Sequence, residues 1–273
     1  MVNQGRKYIE ANINMPVSFK TIILAGGLGT RLSEETDLKP KPMVEIGDHP
    51  ILWHIMNIYS HYGHKDFYIA LGYKGEQVKQ YFINYNTLEN DVRVDLKTGL
   101  VQHSNETNKD WSINLIDTGK STETGGRILK LRNHVGDNTF LLTYGDGVAN
   151  IDINNIIKFH KTHGKIATIT AVRPPSRFGR LEFEGDRVTS FSEKPQIGEG
   201  WINGGFFVLE PEIFDYIESD STIFEREPLE KLAKDHQLMA YKHEGFWQPM
   251  DTLRELRLLR ALWDSNNAPW KIW

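Results

Sequence analysis

The 273-residue chain contains no cysteine. That absence excludes disulfides, thiolate metal sites, iron–sulfur clusters and a cysteine nucleophile together. It suits a reducing compartment, and a cytoplasmic location is the expectation. No apolar run approaches the roughly 20 residues that cross a bilayer. The first 19 residues are mixed and polar, without the hydrophobic centre of a signal peptide, so no membrane partner is expected. Excess basic charge is missing too. The 32 Lys and Arg against 36 Asp and Glu leave a net charge of −4, which argues against nucleic acid as the main partner. The ten histidines show no His-Glu-x-x-His spacing, and no Gly-x-Ser-x-Gly elbow is present. Zinc-ligand and serine-hydrolase readings therefore lack their motifs. What is present is an ordinary globular composition, 39% hydrophobic and 25% charged, long enough to bury one sizeable core.

Strand-like and helix-like segments alternate through the first half, the pattern of βαβ units around a largely parallel sheet. Strands are expected at 20–25, 66–71, 139–144 and 166–172. Helices are expected from Pro50, over 75–82, over 153–163 and over 252–263, where Leu253, Leu256, Leu259 and Leu262 recur at helical spacing. Three further strands, at 179–184, 187–192 and 204–209, add antiparallel pairing. The expected fold is α/β, a Rossmann-like, mixed and mostly parallel sheet flanked by helices, with added antiparallel strands. Residues 1–19 read as a flexible extension in which Met15 is an alternative start, and residues 20–273 as one domain. The polar stretch from Asn84 to Trp111 reads as a surface excursion.

The chemistry begins at Thr21-Ile22-Ile23-Leu24-Ala25-Gly26-Gly27-Leu28-Gly29-Thr30-Arg31-Leu32, with Lys39-Pro40-Lys41-Pro42 shortly after. Glycines after a strand let backbone N–H groups approach a phosphate chain closely. Arg31 and Lys41 then supply full positive charge for a triphosphate. The segment is not a Walker A loop, and it does not fit Gly-x-Gly-x-x-Gly. Taken alone it also reads as a glycine-rich βα turn carrying surface charge. The prolines beside Lys41 favour an extended backbone there. Asp146, directly after a buried strand, is expected to project into the crevice at the carboxyl edge of the sheet. Taken alone, Gly145-Asp146-Gly147 reads equally as a hairpin turn, and Asp251 as an N-cap of the last helix.

Gly26-Gly27-Leu28-Gly29-Thr30-Arg31-Leu32 with Lys39-Pro40-Lys41-Pro42-Met43 resembles the sugar-1-phosphate nucleotidyltransferases. Tyr144-Gly145-Asp146-Gly147, Glu193-Lys194-Pro195, Asn203-Gly204-Gly205-Phe206-Phe207 and Trp247-Gln248-Pro249-Met250-Asp251-Thr252 stand in that family's order. The resemblance runs from about Lys20 to Trp273. The segment Asp117 to Arg127 departs from the uridylyl and thymidylyl branches and is similar to the cytidylyltransferase branch, which makes CDP-glucose.

That resemblance implies CTP and glucose 1-phosphate as substrates and Mg²⁺ as cofactor, with Asp146 and Asp251 as its ligands. It implies catalytic roles for Arg31, Lys41, Asp146 and Asp251, and it selects Lys41 over Lys39. Nucleotide contacts are implied for Leu24, Ala25, Gly26, Gly27, Gly29, Thr30, Arg31, Lys41, Thr122, Arg127 and Gly145. Sugar-phosphate contacts are implied for Glu193, Lys194, Asn203 and Gly204. A homo-oligomer, a hexamer by that resemblance, is also implied, and the 84–111 stretch or the tail Ala268 to Trp273 is expected at an interface, with folding of the tail back onto its own subunit as the alternative. The alternatives are the same chemistry with UTP, dTTP or another sugar phosphate, and a non-catalytic nucleotide-sugar-binding subunit. Such subunits usually lack the catalytic cations or the metal aspartate, and this chain has both.

Overall fold

A computed structural model describes residues 18–27, 29, 32–36, 39–104, 109–174, 180–184, 186–192 and 200–273. Residues 1–17, most of the expected extension, lie outside this set. Seven strands form the central sheet: β1 (Lys20–Ala25), β2 (Asp66–Leu71), β3 (Ser112–Asp117), β4 (Phe140–Tyr144), β5 (Ala167–Val172), β6 (Ile202–Leu209) and β7 (Leu238–His243). Their spatial order is β7-β5-β6-β4-β1-β2-β3. Neighbours run parallel except at β6, which is antiparallel to both β4 and β5. The expected mixed, mostly parallel sheet is therefore what the chain forms.

Strand β1 is buried on both faces from Thr21 onward, and Ile22 to Ala25 read as an uninterrupted apolar run for that reason. Six helices concern the argument: α1 (Ile51–His61), α2 (Gly75–Ile83), α3 (Thr124–Lys130), α4 (Ile153–His163), α5 (Glu227–Lys234) and α6 (Leu253–Asp264). Two clusters of buried side chains sandwich the sheet. One packs α1, α4 and α6 around Ile23, Ile69 and Phe206. The other packs α3 and α5 around Ile22, Leu142 and Phe207. Successive residues of β1 thus serve opposite cores, as the two-residue period of a strand requires.

Two edge strands escape the sequence pattern. β3 is half-exposed and β7 mixes exposed with partly buried positions, so neither carries a strong apolar run. The excursion from Asn84 is more ordered than its composition suggests. It holds a short helix, Tyr85–Glu89, and a hairpin of Val92–Asp95 with Leu100–His103.

Within the tail, Trp270 takes the alternative of folding back onto its own subunit. Trp270 is fully buried in its own chain, stacked between Phe246 at 5.7 Å and Trp263 at 6.4 Å. Its indole N–H donates to His54 Nδ1 at 3.4 Å, while the other ring nitrogen of His54 faces the Ile46 carbonyl at 2.9 Å. The tryptophan at 270 thus closes the core of its own chain. At the other end, Phe19 is already buried, and its N–H donates to His64 Nδ1 at 3.1 Å.

Candidate active site

Three strand ends and one ribbon build the crevice. β1 delivers Leu24 and Ala25, both buried, into Gly26 and Gly27 at the carboxyl edge of the sheet. The loop turns at Gly29, whose φ of +65° lies in the left-handed region. Beside it β4 ends at Tyr144, and the Gly145 N–H donates to the Leu24 carbonyl at 3.0 Å. A Cβ at position 145 would lie 2.8 Å from that carbonyl, so only glycine lets the two strand ends approach this closely. Antiparallel β6 begins where β4 finishes, which brings Asn203 and Gly204 to the same edge.

Asp146 and Asp251 are 105 residues apart in sequence and meet through backbone pairing. Gly147–Ala149 pairs antiparallel with Trp247–Pro249, and the Met250 N–H donates to the Asp146 carbonyl at 2.8 Å. The N-cap reading of Asp251 is replaced. Thr252 caps α6, accepting from the Glu255 N–H, and Glu255 accepts in return from the backbone N–H groups of Thr252 and Asp251. The Thr-x-x-Glu spacing of this capping box was legible in the sequence. With Thr252 as cap, the Asp251 carboxylate is left to face the crevice.

Into the gap between the two acids reaches Lys41. Its ammonium donates to Asp146 Oδ2 at 2.6 Å and to Asp251 Oδ1 at 2.5 Å. The extended backbone expected at Lys41 is not found. Pro40 is extended at ψ 149°, but Lys41–Met43 close a 3₁₀ turn, with Met43 N–H donating to Pro40 O at 2.8 Å. Proline at the second position of such a turn has no N–H to leave unpaired, so the flanking prolines suit the turn as well. Lys41 is largely buried. Burial alone would pull its pKa down, yet the charges and hydrogen bonds of Asp146 and Asp251 outweigh burial and hold it above the usual lysine value. Lys39 points elsewhere and pairs with Glu45 at 3.0 Å.

Arg127, expected at the nucleotide, is 4% exposed and turned toward its own chain. Its guanidinium donates to the carbonyls of Gly26 (3.1 Å), Leu71 (3.1 Å) and Gly119 (2.8 Å) and to the Thr118 hydroxyl (2.7 Å). It clasps the ends of β1, β2 and β3 together. A Cβ on Gly26 would overlap this guanidinium, which explains a glycine there independently of any phosphate. Burial lowers the Arg127 pKa, offset in part by Glu123 and Asp117. Thr122 is buried nearby and accepts from Lys130 Nζ at 3.2 Å. Thr30, Arg31, Glu193 and Lys194, named from the sequence, lie outside the described residues.

The sequence reading missed Glu225. One carboxylate oxygen accepts from the Tyr144 hydroxyl at 2.6 Å and the other from Thr124 at 2.6 Å. The Tyr144 hydroxyl in turn accepts from Asn203 Nδ2 at 3.1 Å. Glu225 thereby joins the start of α3 to the edge that carries Asn203. Burial, with Glu225 alongside, raises the Tyr144 pKa well above its usual value, so the phenol stays a donor. No motif marks Glu225; an acid in a 25% charged chain carries no signal of its own.

Among the described residues no group of three or more His, Cys, Asp or Glu side chains is placed to hold a metal, and no helix is long and apolar enough to cross a membrane. The sequence profile of the nucleotidyl transferase family matches residues 20–258. Glucose-1-phosphate cytidylyltransferases of Salmonella typhi and Salmonella typhimurium are each 53% identical to this chain over 255 residues, covering 93% of it and 99% of each relative. The crystal structure of HddC from Yersinia pseudotuberculosis superposes with a TM-score of 0.66 at 24% identity, covering 90% of this chain and 99% of that one, a likeness of fold.

Proposed function

The chain belongs to the nucleotidyl transferase family, and we propose that it joins CTP and α-D-glucose 1-phosphate into CDP-glucose and pyrophosphate. The observation that carries the reaction class is the meeting of Lys41, Asp146 and Asp251 beside the glycine loop. The choice of nucleotide and sugar rests on the 53% identity to the two Salmonella cytidylyltransferases. In this reaction an oxygen of the sugar phosphate attacks the α-phosphorus of CTP in line. The bond from that phosphorus to the β-phosphate oxygen breaks, and pyrophosphate leaves with the electron pair. No general base is required, because a phosphate monoester with a second pKa near ~6 is mostly dianionic at neutral pH.

The barrier is repulsion between two anions, and preorganised cations lower it. Lys41 and Arg31 supply charge on the nucleotide side, Lys194 on the sugar-phosphate side. Asn203 and Gly204 at the start of β6 suit sugar hydroxyls. The donor set at the crevice fits magnesium: two carboxylates converge on one position that already accommodates a cation, the Lys41 ammonium. Asp146 and Asp251 would hold the ion, with phosphate oxygens and water completing its shell. When bound, magnesium supplies neutralisation of the phosphate oxygens.

We also propose that the chain works as a homo-oligomer. Among the described residues the hairpin at 92–103 pairs with no other strand, and a two-stranded hairpin alone is marginal in water. Val94 sits opposite Val101 on it, and these are 52% and 47% exposed. A second copy of this chain packed on that face would bury them. Light scattering across a dilution series tests this, and a monomer mass near 31.5 kDa throughout would refute it.

The reaction is tested by pairing each of CTP, UTP, dTTP, ATP and GTP with glucose 1-phosphate and measuring product. CTP is expected to give the highest kcat/KM. A higher value with UTP or dTTP would overturn the cytidylyl reading and leave the reaction class standing.

A further inference from the structure

We propose that the Lys41 ammonium is a resident counterion, held in the free enzyme at the cation position between Asp146 and Asp251, and released to the nucleotide phosphates when metal and nucleotide arrive. The inference rests on the reading of Asp146 and Asp251 as metal ligands. Two carboxylates facing one point repel each other, and the backbone that carries each is held in place. Asp146 is held through its carbonyl by the Met250 N–H at 2.8 Å, Asp251 through its own N–H by Glu255 at 2.8 Å. Lys41 spans the pair at 2.6 and 2.5 Å with a side chain only 11% exposed. These bonds fix the backbone of both aspartates, whose side chains are short, whereas the lysine stem is long and flexible, so the lysine is the partner that moves.

The direction of that motion is set by the neighbouring loop. A Cβ on Gly29 would lie 3.2 Å from the Lys41 Cβ, so the lysine stem starts against the glycine loop. Rotation about that stem carries the ammonium between the acid pair and the loop where a triphosphate is expected. An ammonium has three N–H donors, and the two acids use two of them. Full engagement of phosphates therefore requires Lys41 to give up at least one acid. The exchange keeps the acids compensated before metal binds and keeps the lysine from repelling the metal afterwards. Metal alone should bind the free enzyme weakly, and nucleotide should promote it by drawing Lys41 away.

The test is titration of the full-length, nucleotide-free protein with Mn²⁺ alone, by calorimetry and by the paramagnetic signal of free Mn²⁺. Lys41→Met should bind Mn²⁺ at least about tenfold tighter than wild type, since one nearby unit charge outweighs the ~1.4 kcal/mol that tenfold requires. Lys41→Arg keeps the charge and should stay close to wild type. The gain in Lys41→Met should vanish when Asp146→Asn is added. Equal or weaker Mn²⁺ binding by Lys41→Met would overturn the proposal. If that variant melts early in chelator, Mn²⁺ should raise its melting temperature more than it raises that of wild type, and an equal rise also overturns the proposal. The metal reading fails separately if Asp251→Asn leaves the Mg²⁺ dependence of turnover unchanged. A shifted dependence alongside unaltered Mn²⁺ affinity in Lys41→Met refutes the counterion alone.

Discussion

Replacing Arg127 by methionine separates a clasp from a ligand contact. The guanidinium makes four hydrogen bonds to the chain at 2.7 to 3.1 Å and is nearly buried. Charged hydrogen bonds are worth roughly 1.5–3 kcal/mol each, so a naive sum exceeds ~6 kcal/mol. Three features of the site reduce that figure. The Leu71 carbonyl also accepts the N–H and hydroxyl of Thr118, at 2.9 and 2.6 Å. The Gly26 carbonyl also accepts the Tyr73 N–H at 3.3 Å. Burial of the guanidinium itself is unfavourable, as its lowered pKa shows. Methionine fills part of the volume and carries no charge. The expected loss is therefore about 2–4 kcal/mol, most of it from the Gly119 carbonyl and the Thr118 hydroxyl. Urea unfolding of the nucleotide-free protein reads this as a lower midpoint at constant m. Stability within ~0.5 kcal/mol of wild type, with only the KM for CTP raised, would show that Arg127 serves the ligand and not the strand ends.

Asp146→Asn should abolish turnover while the protein still folds, because the Met250 bond is made to the backbone of residue 146; an active Asp146→Asn enzyme would remove the basis of the site. Trp270→Ala should cost about 3–5 kcal/mol by urea unfolding, the range for truncating a buried aromatic; a cost below ~1 kcal/mol would place the tail outside the core. Burial pulls the pKa of His54 and of His64 down to about 4, below the usual 6.5 of the unfolded chain. Unfolding therefore takes up protons between these values. Their stabilisation is complete above ~6.5 and is lost as pH falls through about 4. The urea midpoint should drop across that window, and a flat profile would contradict it.

The glycine loop, the strand before it and Asp146 after β4 were legible because each is a local pattern, an apolar run broken by residues that free the backbone. The seven-strand sheet was legible in outline for the same reason. Its two edges were not, since β3 and β7 are half-solvated and their burial depends on neighbours the local sequence does not show. The turn at Lys41 was misjudged because proline flanks suit both an extended segment and a 3₁₀ turn, and the packing of Pro42 and Met43 selects the turn. Glu225 was invisible because its two partners, Tyr144 and Thr124, come from distant parts of the chain.

By itself the sequence determined the class of fold, the loop and the chemical types gathered for a phosphate-rich ligand: glycines, a buried-strand aspartate and flanking cations. Those follow from short-range periodicity and the conformational range of single residues. Tertiary structure alone decided which charges meet. The ribbon of Gly147–Ala149 with Trp247–Pro249 sets Asp251 beside Asp146, the capping box frees its carboxylate, and the buried turn aims Lys41 between them. Electrostatic pairing falls off within a few ångströms, so its strength is a property of distances that only the packed chain defines.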